Sequence, residues 1–297
     1  MISSVPGYVA VDIGGTKLAA AVVTLDGSVI VSDRVPTPAR DPWNALSALI
    51  SRVVAATPDV APVALGAGCG GPMTRGGETV SPLHIPSWRD FPLRESLSSL
   101  LDVPVAIDND AKALALGEGW LGAARGCRDY MAVVIGTGVG AGLVIDGTLV
   151  DGATGNAGHL GHVVVEDGGL ECRCGAHGCL EAYLSGSGIE SRTGQSARQA
   201  SPAIIVDAGR RFGRAVASVA ALTSLERVVV AGSVALGWGD VFFDAAREEF
   251  GARSRLSFTQ TVDIVPAGPR AGLLGAAALA RRLVHVDGLS GGQFSGD

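Results

Sequence analysis

Residues 8–35 read YVAVDIGGTKLAAAVVTLDGSVIVSDRV. The alternating, Val-rich run over 8–13 has the period of a buried strand, and the glycines of GGTK turn the chain into a second apolar run over 18–25. Asp26-Gly27 is a hairpin signal, so 28–35 supplies a third strand. About 120 residues later the plan recurs in 130–150, YMAVVIGTGVGAGLVIDGTLV: a strand over 130–135, the glycine turn GTGVG, a strand over 141–145, the Asp146-Gly147 turn and a short strand over 148–150. A strand–loop–strand–turn–strand unit used twice predicts two similar lobes facing each other, with the two glycine turns approaching one ligand from opposite sides.

Between and beyond the copies, strands alternate with helices. Helical spacing of Leu46, Leu49, Ile50, Val53 and Val54 after Asp41-Pro42 predicts a helix over 43–56. Further strands are predicted over 63–68, 103–107, 227–231 and 261–265, and helices around Leu93, Leu97 and Leu100 and over 111–124, 204–225, 240–250 and 271–283. The class is α/β. The polar, Gly-rich tail 290–297 is expected to fray.

Composition narrows the function classes. Of 297 residues 47% are hydrophobic and 18% charged, which is too apolar for a disordered chain. The longest charge-free apolar stretch, 130–145, is broken by Gly136, Gly138, Gly140 and Gly142 and falls short of the roughly 20 residues a spanning helix needs. Neither a membrane partner nor a secretory leader is expected, and the expected compartment is the cytoplasm. A net charge of −6 without any Lys/Arg-rich block argues against nucleic acid as a partner. Glycine, at 43 residues, is the outlier, so its placement carries the functional signal.

Three glycine turns follow apolar strands. In DIGGTK, Asp12, Gly14, Gly15, Thr16 and Lys17 offer close backbone N–H groups, a hydroxyl and a cation to phosphate oxygens; an ordinary Gly-rich hairpin turn is the alternative. No Gly-Lys-Ser/Thr follows at the spacing of a P-loop. GTGVGAG, with Gly136, Thr137 and Gly138, has the same two readings, and the pairing of the turns favours phosphate for both. AGSVALG, with Gly232 and Ser233, is a place for a nucleoside to rest or a simple strand-to-helix turn.

The most specific pattern is GHVVVEDGGLECRCGAHGC. His162, Cys172, Cys174 and Cys179 supply four soft or borderline donors within eighteen residues, the set a closed structural Zn²⁺ site uses. Disulfides are the alternative, disfavoured in a chain expected to be cytosolic. Cys69 and Cys127 read as buried small apolar residues, and His177 as solvent-facing. Asp110, where a strand meets a helix in AIDNDAKA, suits a catalytic acid or base at an α/β crevice, or a helix cap that Asp108 or Asn109 could equally supply. Glu181, directly after the cysteines, is a further candidate carboxylate, with a surface role as its alternative.

DIGGTK, IDNDAKA, GTGVGAG, NAGHLGH and CRCGAHGCLE, in that order over residues 8–283, resemble the ROK family of sugar kinases and repressors. The resemblance implies the actin-like, ribonuclease-H-like ATPase fold: a small lobe over 1–112 to which a C-terminal helix over 271–285 returns, and a large lobe over 113–270 holding the zinc loop. It implies ATP and Mg²⁺ as cofactors, structural Zn²⁺, a sugar and a nucleotide as small-molecule partners, and a homodimer or homotetramer. Asp110 would be the general base toward a sugar 6-hydroxyl. Gly71, Asn109, His159, His162 and Glu181 would bind sugar, and Asp12 would help position Mg²⁺. Gly14, Gly15, Thr16, Lys17, Gly136, Thr137 and Gly138 would surround the phosphates, and Gly232 and Ser233 the nucleoside. His162 would serve both zinc and sugar, one with each ring nitrogen.

One position departs from the family's glucokinases, which usually carry Glu where His159 stands; its bacterial N-acetylmannosamine kinases share AGH. An imidazole that donates replaces an acceptor-only carboxylate, so the hydroxyl pattern read there changes, and 82–88 is where an N-acetyl group would be accommodated. Two other classes are weighed against a kinase. A sugar-responsive transcription regulator would carry a helix-turn-helix ahead of the first turn, and eleven residues before Asp12 are too few for one. A non-catalytic, zinc-stabilised sugar-binding protein would not need DIGGTK and Asp110.

Overall fold

The strand expected over 8–13 is the centre of a five-stranded sheet. In the computed structural model, which describes residues 4–286, β1 (Val5–Ile13) pairs antiparallel with β2 (Lys17–Thr24), and β2 with β3 (Val29–Pro36). The tail over 290–297 lies outside the described residues. Asp41 then caps α1 (Pro42–Ala55), accepting from the Asn44 N–H at 3.2 Å, with Pro42 in the first turn where its missing N–H costs nothing. Leu46, Leu49, Ile50 and Val53 form its buried stripe, each side chain contributing about 1.5–3 kcal/mol. β4 (Val60–Cys69) pairs parallel with β1; α2 (Leu93–Leu100) buries Leu93 and Leu97; β5 (Val105–Asn109) pairs parallel with β4. The order is β3-β2-β1-β4-β5.

α3 (Asp110–Leu121) begins where β5 ends. It stops short of the expected residue 124 because the Glu118 carboxylate turns back to accept the Ala123 N–H at 2.7 Å. The second copy follows: β6 (Tyr130–Ile135), β7 (Val139–Ile145) and β8 (Thr148–Leu149) pair antiparallel in succession. After the cysteine loop come α4 (Glu181–Leu184), α5 (Gly186–Thr193), α6 (Pro202–Thr223), β9 (Arg227–Ala231), α7 (Ser233–Trp238), α8 (Asp240–Arg253) and β10 (Asp263–Pro266). The second sheet runs β8-β7-β6-β9-β10, with β6, β9 and β10 parallel. Each sheet thus has a central strand with an antiparallel hairpin on one side and two parallel strands on the other, the duplicated α/β plan of the actin-like ATPase fold. α9 (Ala271–Val286) closes the described chain.

The chain divides into two compact units, one running to Ala113 and resuming at Gly272, the other Leu114–Ala271. The first has a core of Val9, Val11, Leu46, Leu65, Trp88 and Ile107 with their neighbours. In the second, Phe212, Val228, Phe242 and Ile264 fill one face of the sheet, while Leu114, Tyr130 and Val229 belong to a separate cluster. Cys69 is buried, but Cys127 is partly exposed, contrary to expectation: it lies in the irregular stretch between α3 and β6. His177 is exposed. Among the described residues no helix is long and apolar enough to cross a membrane.

Candidate active site and metal centre

In the first unit the carboxyl ends of the three parallel strands lie in register, Asp12 beside Gly68 and Gly68 beside Asp108. The loops leaving those ends carry DIGGTK, the GCGGP turn and Asn109-Asp110, and that end of an open α/β sheet is where ligands bind. Of the three side chains eligible to cap α3, Asn109 takes the role, its Oδ1 accepting from the Ala111 N–H at 3.0 Å. Asp108 instead pairs with the buried Lys112, Oδ1 to Nζ 2.9 Å. Asp110 Oδ1 also accepts from Ala111, at 2.9 Å. Burial, with a further contribution from the Asp12 charge, raises the Asp110 carboxyl to about 6. At neutral pH it is ionised and more basic than an ordinary carboxylate, as a general base should be.

The GGTK turn is fastened on itself and to the end of β3. The Gly14 N–H donates to the Lys17 carbonyl at 3.0 Å, the Thr37 hydroxyl to the Gly14 carbonyl at 2.7 Å, and the Thr37 N–H to the Thr16 carbonyl at 3.1 Å. Thr16 and Lys17 are exposed, and Lys17 Nζ stands 3.9 Å from Asp12 Oδ2. Burial raises the Asp12 carboxyl while Lys17 draws it down. Gly71 forms a cis peptide with Pro72, and its carbonyl accepts from the Leu83 N–H at 3.2 Å.

In the second unit the Gly136–Gly138 turn is similarly held. The Gly186 N–H donates to the Gly136 carbonyl at 2.7 Å, and the Ser187 N–H and hydroxyl both donate to the Thr137 carbonyl, at 3.1 and 2.8 Å. Glu181 is buried, not a surface carboxylate, and its Oε2 accepts from the Val139 N–H at 2.7 Å, so one carboxylate oxygen is committed to this turn. Gly232 has φ +101°, and a Cβ there would stand 2.2 Å from the Ile135 carbonyl oxygen, so the start of α7 at Ser233 abuts the strand that feeds the turn. His159 is exposed, its ring centroid 5.9 Å from that of His162. Neither Thr37 nor Ser187 is signalled by the sequence: each acts on a backbone distant in the chain, and only the β2–β3 pairing of Lys17 with Pro36 brings Thr37 to its turn.

His162, Cys172, Cys174 and Cys179 converge, their donor atoms all within 4.8 Å of one another. Cys172 Sγ lies 3.8 Å from His162 Nδ1, and Cys174 Sγ 3.8 Å from Cys179 Sγ. A zinc–sulfur bond of about 2.3 Å in a tetrahedron gives a donor–donor edge of about 3.8 Å, so the set fits the ion. Burial pushes the Cys179 thiol up to about 12 and raises that of Cys172, and a cation bound among them would favour both as thiolates. The cysteines are free thiols.

The structure therefore gathers Asp12, Gly14–Lys17, Gly71, Asn109 and Asp110 in one unit, and His159, His162, Glu181, Gly136–Gly138, Gly232 and Ser233 with the metal ligands in the other. Comparison with known proteins gives this pattern its context. The ROK family model matches residues 8–283. An N-acetylmannosamine kinase of Escherichia fergusonii is 36% identical over 296 residues, covering 92% of this chain and 97% of its own. A glucokinase of Streptomyces coelicolor is 33% identical over 314 residues, covering 92% and 97%. The crystal structure of a ROK family glucokinase from Streptomyces griseus, in complex with glucose and AMPPNP, superposes with a TM-score of 0.80 at 29% identity, over 93% of this chain and 99% of that one. With a family match spanning nearly the whole chain and relatives above 30% identity over nine-tenths of it, this chain belongs to the ROK family.

Proposed function

We propose that the chain is an ATP- and Mg²⁺-dependent sugar kinase, transferring the γ-phosphoryl group to the 6-hydroxyl of a hexose or N-acetylhexosamine, N-acetylmannosamine or glucose. The observation that carries this reading is Asp110: a carboxylate raised to about 6, at the strand ends that also present DIGGTK. The names of the two full-length relatives above, an N-acetylmannosamine kinase and a glucokinase, support it over a regulator or a passive binder.

Asp110 takes the proton of the attacking hydroxyl, while Gly71 and Asn109 hold the sugar from the same unit. His159, His162 and Glu181 supply polar groups for sugar hydroxyls. Glu181 has one oxygen bound by Val139, which leaves its second oxygen to accept from a hydroxyl. The backbone of Gly14–Lys17 and of Gly136–Gly138 receives phosphate oxygens, and Gly232 and Ser233 the nucleoside. Mg²⁺, positioned with help from Asp12, would neutralise phosphoryl charge. Phosphoryl transfer needs little covalent assistance, so these roles are positioning and charge stabilisation. Zn²⁺ on His162, Cys172, Cys174 and Cys179 would be structural and would fix the His162 tautomer, leaving its other ring nitrogen for a sugar hydroxyl. We further propose a homodimer or homotetramer, which light scattering on the purified chain would measure.

The test is ADP release with ATP and Mg²⁺ over glucose, mannose, fructose, N-acetylglucosamine and N-acetylmannosamine. Preference for N-acetylmannosamine would assign His159 to specificity; preference for glucose would make His159 a tolerated replacement of Glu. Turnover with none of the five would overturn this reading.

A further inference from the structure

We propose that Gly272 is a positioning residue for the reaction: its missing side chain sets where the Asp12 carboxylate stands, and through that carboxylate the hold on the magnesium nucleotide. The inference rests on the kinase reading above and adds a residue that neither the motifs nor the periodicity single out.

Gly272 is the second residue of α9 and belongs to the same unit as Asp12. A Cβ on it would stand 2.8 Å from Asp12 Oδ2, 3.1 Å from Cγ and 3.5 Å from Oδ1. The first two distances are shorter than the roughly 3.5 Å at which non-bonded heavy atoms pack, so a methyl group and the carboxylate cannot both keep their places. Oδ2, the oxygen nearest Gly272, is also the one 3.9 Å from Lys17 Nζ. The carboxylate is thus bounded by bare α9 backbone and by the lysine of GGTK.

The helix is not the partner that yields. One turn on, α9 lies backbone to backbone on β4: a Cβ on Gly66 would stand 1.8 Å from the Ala276 carbonyl oxygen and 2.8 Å from the Ala280 nitrogen. Ala276 and Ala280 are fully buried, and Gly66 pairs with Ala10 of β1, two residues before Asp12. Helix and sheet are locked at a spacing that only glycine permits, whereas the Asp12 carboxylate ends a rotatable side chain. A methyl group at 272 therefore displaces the carboxylate.

Asp12 accepts no hydrogen bond through its side chain among the described residues, so neither oxygen is committed within the chain. Such oxygens suit Mg²⁺, a hard cation held by one or two carboxylates together with substrate phosphates. With no donor to fix its direction, the carboxylate is placed by what packs against it, and the backbone of Gly272 packs there.

The test is Gly272→Ala, with AMPPNP binding followed by calorimetry in Mg²⁺ and again in EDTA. Affinity in Mg²⁺ should fall about 10-fold, the scale on which outer partners of metal ligands act, while affinity in EDTA and affinity for sugar change less than about twofold. Alanine is the better helix former, so a glycine kept for packing alone would move the urea midpoint of the ligand-free chain and both AMPPNP affinities alike. In an Asp12→Ala background, which removes the displaced atoms, adding Gly272→Ala should change the affinity in Mg²⁺ less than about twofold. Equal changes in Mg²⁺ and in EDTA, or the full loss persisting without the Asp12 carboxylate, overturn the role of Gly272 while leaving the kinase reading standing. If Gly272→Ala folds poorly by circular dichroism, the pair Asp12→Ala with Gly272→Ala decides: a pair that folds traces the clash to the carboxylate, and a pair that does not overturns the inference. Absence of sugar-dependent ADP release by the wild-type chain overturns the kinase reading and this inference with it.

Discussion

Asp110 differs from an ordinary surface aspartate in having its proton bound more tightly in the folded chain, because burial and the Asp12 charge disfavour ionisation. Its carboxylate must be ionised to accept a proton, so kcat should fall as pH drops through about 6; a pH–rate profile flat down to pH 5 would contradict the assignment. The same shift has a stability cost with a defined sign. A carboxyl whose folded value exceeds its unfolded one binds more protons when folded, so its ionisation removes stability between about pH 4 and 6 and the loss is complete above that. Asp110→Asn should accordingly be more stable than wild type at pH 7 by about 1–2 kcal/mol, with the gain vanishing near pH 4, as read by urea unfolding. Asp110 and the Cys/His set were legible in the sequence because strand-end position and ligand spacing are local properties. Thr37 and Ser187 were not, since each is brought to its turn by backbone far away in the chain.

At the level of elements, β1, β6 and the hairpins that follow them stand out in the sequence through alternation and Asp-Gly turns. Asp146 and Gly147 both have positive φ, as a two-residue hairpin turn of that kind requires. α5 and α7 were illegible for different reasons. α5 opens with Gly186 and Gly188 and depends on the Ser185 hydroxyl, which accepts from the Gly188 N–H at 2.9 Å. α7 has only six residues, too few to show a helical period. Its start is set by Gly232, where both the positive φ and the approach to Ile135 exclude a side chain. Gly232→Ala should lose about 2 kcal/mol or more of stability and weaken nucleotide binding more than sugar binding; calorimetric titration of AMPPNP and of sugar measures both. Equal losses for the two ligands would remove this loop from the nucleotide site.

Across the molecule, the duplication of one sheet plan was readable because both copies keep the same turn chemistry, whereas the division into units depends on how α9 packs, which periodicity does not reveal. Each unit has its own core, and the metal ligands all belong to the second. Chelation of zinc should therefore raise hydrogen exchange in β6–β8 and α4–α6 before it affects β1–β5; simultaneous loss of protection in both would contradict a local structural role for the metal. Metal analysis should find about one zinc per chain, falling sharply in Cys174→Ser. The account as a whole stands on Asp110 acting as base in a sugar kinase, and the direct measurement is sugar-dependent ADP release by wild type and Asp110→Asn, with sugar binding followed by calorimetry. The account predicts turnover by wild type and a kcat lower by about 10² to 10⁴ in the variant with sugar affinity retained. An Asp110→Asn chain that turns over at the wild-type rate would contradict it.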